Sequence, residues 1–146
     1  MFLGQGKLCM QEAKLELIKL WIIKADHDLG TAEIILLHLP KYKDILCFHC
    51  QQAVEKYLKA YLTFFDEEIP KTHNLMTLLE LLRERDAFSK DYYEKARQVN
   101  SFAVEIRYPE AISKFEKIEG EKPIAIAKEF RKIILQKLNL SEFKDN

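Results

Sequence analysis

Cys47-Phe48-His49-Cys50-Gln51-Gln52-Ala53-Val54-Glu55-Lys56-Tyr57-Leu58-Lys59-Ala60-Tyr61-Leu62, wound as a helix, is apolar around most of its circumference yet keeps one narrow polar stripe. At about 100° per residue, His49, Gln52, Lys56, Lys59 and Thr63 share that stripe, at helical spacings of i, i+3, i+7, i+10 and i+14. Glu55 lies at its edge. A helix buried on nearly all sides has little reason to carry such a row. The row is therefore expected to face either water or something the protein binds.

Outward from this stretch the chain reads as all-α. Period-2 alternation is nowhere sustained, and only four Gly and four Pro punctuate 146 residues. A first helix is predicted over 11–38. Its apolar face is read as Leu17, Leu20, Trp21, Ile23 or Lys24, Leu29, Ala32, Ile35, Leu36 and Leu39. Gly30 weakens it and Pro40 ends it. The second helix is predicted over 42–65 and is closed by Asp66-Glu67-Glu68-Ile69-Pro70. A short helix over 75–85 follows, with Thr72 or Asn74 as its N-cap.

Ser89 is expected to cap a further long helix over 90–106. Its end falls near Arg107, because Tyr108 precedes Pro109 and is pushed out of the α region. After a break at Gly120, Pro123 in the first turn opens a last helix to residue 138, with Ile126, Phe130, Ile133, Ile134 and Leu138 at apolar positions. The tail, 141–146, is expected to fray. Four long helices with short connections predict one domain, with a core over about 11–139. Its expected architecture is an antiparallel four-helix up-and-down bundle carrying one extra short helix.

Composition narrows the class. Hydrophobic content of 48% with 11% aromatics is that of a globular chain. Lys plus Arg equals Asp plus Glu, at 23 each, so no global basic field draws in nucleic acid. A net charge near zero favours self-association over repulsion. Three cysteines make an odd count and argue against a disulfide framework. The longest apolar runs are too short to cross a bilayer, and the N-terminal ten residues lack a cationic start followed by an apolar block. The expectation is a cytoplasmic protein without membrane attachment.

Three further signatures stand in order along the chain: Phe48 to Ala60, then Lys71-Thr72-His73-Asn74-Leu75, then Arg107-Tyr108-Pro109-Glu110. With Trp21, Ala25-Asp26 and Asp28-Leu29, this set resembles the HEPN domain family (higher eukaryotes and prokaryotes nucleotide-binding), over about residues 17–138. The resemblance implies a small helical bundle that pairs as a homodimer. It also implies a role beside a minimal nucleotidyltransferase, as toxin and antitoxin, or as a metal-independent RNase. The RNase members carry Arg followed after four to six residues by His. Here Arg107 is followed by Tyr-Pro-Glu-Ala-Ile-Ser-Lys, and no His occurs in the remaining segment. A variant pattern with Tyr shortly after Arg and His is also unmet. The reading leans away from an enzyme and toward nucleotide binding.

The candidate binding residues are His49, Gln52, Lys56, Lys59, His73, Arg107 and Tyr108, with ATP or GTP as ligand. Lys56 and Lys59 would neutralise phosphate, Gln52 would read a base or ribose edge, and His49 would donate to phosphate or stack. His73 sits beside the N–H groups that open the short helix. Arg107 would hold phosphate in a bidentate contact, and Tyr108 would stack. Blander readings stand beside these. Glu55 and Lys59 form an ordinary i, i+4 pair on a solvated face, His73 bonds locally in the cap, and Arg107 caps its own helix end.

Cys47 and Cys50 have redox spacing without the strand that such sites follow, so they read as small core hydrophobes. A zinc site would need two more ligands, for which Cys9 and His27 are the available residues. No metal site is expected. His27, between Asp26 and Asp28, forms no dyad, because consecutive helical residues do not share a face. Three functions remain open: a nucleotide-binding partner of a nucleotidyltransferase, an RNase toxin using His73 with Arg107, and a structural dimer module. Tyr92, Tyr93 and Tyr108 are candidate acceptors of a nucleotidyl group.

Overall fold

The computed structural model describes residues 2–140 and 142–143, with side chains from Gln11 onward. Ser141 and residues 144–146, most of the tail expected to fray, lie outside the described residues. The chain is all-α, with no strand among the described residues. In order come α1 (Phe2–His38), α2 (Lys43–Phe64), α3 (Leu75–Arg83), α4 (Lys90–Val99) and α5 (Phe102–Glu105). A 3-10 turn (Pro109–Ala111), α6 (Ile112–Glu116) and α7 (Glu121–Leu138) complete it.

Helix ends follow local chemistry. Pro40 stops α1, and Tyr42 N–H closes the turn onto Leu39 C=O at 2.8 Å. Asp66, at φ 59°, and Asn139, at φ 55°, take the left-handed conformation just past α2 and α7. In each case the next residue's N–H reaches back to an orphan carbonyl, Glu67 to Leu62 at 3.1 Å and Leu140 to Leu135 at 3.0 Å. Asn74 caps α3 by accepting from Met76 N–H at 3.0 Å.

α2 is the axis of the molecule. Leu46, Cys47, Cys50, Ala53, Val54, Tyr57, Leu58, Ala60 and Leu62 are all fully buried on it. α1 runs antiparallel to α2, since Lys14 meets Asp66 while Asp28 meets His49. α7 runs alongside α2 in the same direction. Gly120 lies against Leu46, and Lys137 reaches Tyr61 through a shared carboxylate, Asp86.

Asp26 ties the three long helices together. It accepts from Tyr57 Oη at 2.5 Å and from the Arg131 guanidinium at 2.9 and 3.3 Å. Burial and the adjacent Asp26 carboxylate push the Tyr57 phenol above its ordinary range.

Two expectations are corrected. The buried face of α1 is Ile18, Ile22, Ala25, Leu29, Ala32 and Ile35, whereas Leu17, Leu20 and Leu39 are exposed. Apolar residues lie on both sides of α1, so periodicity alone does not single out one face. The helix expected over 90–106 is broken at Asn100 and Ser101. Asn100 is recruited elsewhere. Its side-chain oxygen accepts from Leu75 N–H at 2.6 Å, its amide donates to Asn74 at 3.2 Å, and its carbonyl accepts from Gln51 at 2.8 Å.

Gln51 is the hub of that joint. Its side chain is buried, donates to the carbonyls of His73 (2.9 Å) and Asn100, and accepts from Ala103 N–H at the start of α5. Gln51→Leu strips two part-buried carbonyls and one buried N–H of their partner. Each such group costs about 1–3 kcal/mol, so the variant is expected to lose roughly 3 kcal/mol or more of stability. Denaturant unfolding monitored by helical circular dichroism measures it.

Candidate functional site

The polar stripe of α2 is only partly open to water: the His49 and Lys56 side chains keep 25% and 21% exposure, while Gln52, Lys59 and Thr63 are buried. α1 and the segment that leads into α3 supply its partners. His49 Nδ1 lies 2.8 Å from Asp28 Oδ1, and Lys56 Nζ donates to Asp28 Oδ2. One turn further along, Glu55 is buried and takes two partners, Lys59 Nζ at 3.1 Å and His73 Nδ1 at 2.7 Å. Lys59 also sits 5.7 Å from the Trp21 ring. Thr63, the last residue of the stripe, is buried and donates to Lys59 C=O at 2.8 Å.

The carboxylates that organise these side chains come from two sources. Asp28 is on α1 and Glu55 is on α2 itself. Burial alone would raise the Asp28 carboxyl. Hydrogen bonds from His49 and Lys56, with the Lys56 charge, outweigh that and hold it below its ordinary value of 3.8.

The structure thus brings His49, Gln52, Lys56, Lys59 and His73 onto one polar seam. Gln52 stands between His49 and Lys56 on the same face of α2. Its side-chain nitrogen is buried and has no hydrogen-bond partner among the described residues, and the same holds for Trp21 Nε1. No hydrogen bond or ion pair among the described residues joins Arg107 or Tyr108 to the seam. Both are exposed, beyond the end of α5, and neither side chain makes a hydrogen bond or ion pair among the described residues.

The blander readings are also redrawn. Glu55 and Lys59 do pair at i, i+4, but at 3% and 7% exposure they are interior rather than solvated. The His73 ring reaches across 18 residues to Glu55 instead of capping α3, a role that Asn74 fills.

Asp28 and Glu55 were the residues that sequence reasoning missed as organisers. Only Glu55 left a signal, as a carboxylate at the stripe's edge. Asp26 and Asp28 point to different partners, as expected of residues two apart on a helix, and His27 between them is exposed. Cys47 and Cys50 are fully buried free thiols. Burial pushes Cys47 up to about 12, and Cys50 higher still, so neither is a ready nucleophile. Cys9, named as a conceivable zinc ligand, has a side chain outside the described residues. Among the described residues no group of three or more His, Cys, Asp or Glu is arranged for a metal ion. Two surface clefts, of about 230 Å³ beside Phe102 and Pro123 and about 420 Å³ beside Arg83 and Tyr93, contain no residue of the stripe.

The family model described as the HEPN domain matches residues 18–138. The chain belongs to the HEPN domain family. A solved structure similar to this HEPN chain is that of TT1696 from Thermus thermophilus. It aligns with a TM-score of 0.72 at 26% identity, over 82% of this chain and 97% of that one. Among curated proteins no match is found. No helix of the described residues is long and apolar enough to cross a membrane.

The Asp28 seam has a pH signature. A carboxyl with a depressed folded-state value stabilises fully above its unfolded value, and that stabilisation is lost as pH falls through the folded one. Asp28→Asn is expected to cost about 2 kcal/mol at pH 7, less than a fully buried pair because the seam is part-exposed. The gap between variant and parent should close as the pH drops below about 4. Urea titrations at stepped pH measure both.

Proposed function

We propose that this HEPN protein binds a nucleotide, ATP or GTP, as a homodimer in the cytoplasm. In this reading it serves a separate minimal nucleotidyltransferase in a toxin-antitoxin type of pair. The ligand lies along the α2 seam against His49, Gln52, Lys56 and Lys59, with His73, Arg107 and Tyr108 at the exposed rim. The frame is an antiparallel bundle of four legs, the third made of α4 and α5 together.

One observation carries this reading. The Gln52 side-chain nitrogen is a buried donor without an acceptor, held between His49 and Lys56. Burying an amide donor unpaired costs about 1–3 kcal/mol, and proteins keep such groups chiefly where something else completes them. A base carbonyl or phosphate oxygen fits that need. Lys56 retains two N–H donors beyond the one given to Asp28.

The test follows from the neighbouring glutamines. Gln52→Leu removes an orphan instead of a partner, so its stability is expected to equal or exceed the parent's. Its heat of ATP or GTP binding, by titration calorimetry, should fall at least tenfold in affinity. A parent protein that gives no heat with any nucleotide sinks the reading.

A second reading has its own observation. The buried Glu55 carboxylate orients His73 through Nδ1, while the ring is 60% exposed and Nε2 carries no hydrogen bond among the described residues. This is how a carboxylate holds a general acid or base in one tautomer, and it supports an RNase using His73 with Arg107. His73→Ala should then reduce RNA cleavage by about a hundredfold or more. RNA left intact by the pure parent protein removes this reading.

A further inference from the structure

α1 carries two apolar faces, and only one is used. The inward one is packed into the core. The outward one presents Leu17, Leu20, Ile34 and Leu37 at 47%, 55%, 58% and 72% exposure. Leu17 and Leu37 stand about 30 Å apart along the helix, at 1.5 Å per residue. A helix apolar on both sides is one that both sides bury, and nothing among the described residues covers the second.

The outward face is arranged as its own complement. Counted from His27, Leu20 lies seven residues to one side and Ile34 seven to the other, and Leu17 and Leu37 lie ten on either side. An antiparallel copy of α1 centred on His27 therefore sets Leu20 against Ile34 and Leu17 against Leu37, twice over. Glu16 and His38 obey the same register, each eleven residues from His27, and fall opposite one another. Neither makes an ion pair among the described residues. Gly30, three residues from the centre, has open space where a side chain would be. Nothing among the described residues explains a glycine in mid-helix, but a close helix crossing does.

We propose that the outward face of α1 is the seam of a symmetric dimer, with the partner α1 antiparallel and His27 on the two-fold axis. This rests on the homodimer reading above and adds the surface and its register. An isologous contact pairs each residue i with j and j with i, which is the pattern the face displays.

Sedimentation equilibrium on the full chain tests it, using Leu20→Glu, Ile34→Lys and the double variant. The parent should sediment at twice its 17.2 kDa mass. Each single variant should weaken the dimer at least tenfold, and the double variant, which sets Glu against Lys across the seam, should recover most of that loss. All these side chains are exposed, so helical content should not change. A parent that is monomeric overturns the homodimer reading together with this one. A dimer indifferent to both single changes overturns the face alone, and a double variant no tighter than the singles overturns the register. Nucleotide heat, measured separately, leaves these outcomes untouched.

Discussion

α2 is buried on nearly every side, and a helix so placed cannot lean on water to satisfy its polar side chains. Every such group on it must find a partner inside the molecule or stand unpaired at a cost of about 1–3 kcal/mol. Much of the architecture answers that demand. Asp28 on α1 meets His49 and Lys56, Asp26 meets Tyr57, Asp86 meets Tyr61, and the segment before α3 delivers His73 to Glu55. The neighbours of α2 are fixed in register because they carry the groups its polar atoms need.

The two carboxylates on α1 show how one helix serves two such demands. Asp26 and Asp28 are two residues apart, so they diverge by roughly 200° around the axis. Asp26 turns to Tyr57 and Arg131 and holds α1 to α2 and α7. Asp28 turns to the stripe. A rotation of α1 by one residue would move both carboxylates off their partners together. Apolar packing alone would not prevent it, because α1 is hydrophobic on both sides. Polar pairing therefore chooses which face of α1 goes inward. Buried ion pairs add little net stability when geometry is ordinary, and selecting one arrangement is the better-attested use of such groups.

That choice is also what the sequence could not display. Elements whose ends are set locally were legible: Pro40 stops α1, Asn74 opens α3 and Gly120 precedes α7. The stripe on α2 and the core role of Cys47 and Cys50 were legible too, since both depend on spacing within one helix. What failed depends on partners far along the chain. The inward face of α1 is decided by Tyr57, Arg131, His49 and Lys56, none within twenty residues of Asp26 or Asp28. The break after Val99 is decided by Asn74, Leu75 and Gln51, which draw Asn100 out of a helix that its local sequence would continue. Periodicity carries no information about such distant claims on a residue.

Gln51 and Gln52 put the structural and functional sides of the site next to each other. They are adjacent, identical in chemistry and both buried, yet they point about 100° apart around α2. Gln51 spends both ends of its amide on carbonyls and an N–H that would otherwise be orphaned. Gln52 has its nitrogen buried with no acceptor, on the face that already holds a histidine, two lysines and two carboxylates. A fold under pressure only for stability would replace Gln52 with Leu and lose nothing, whereas the same change at Gln51 would unpick three hydrogen bonds. The unpaired amide is thus the one place on α2 where internal satisfaction stops short. That is the physical ground for putting a ligand's acceptor there instead of at the cysteines or at the exposed Arg107.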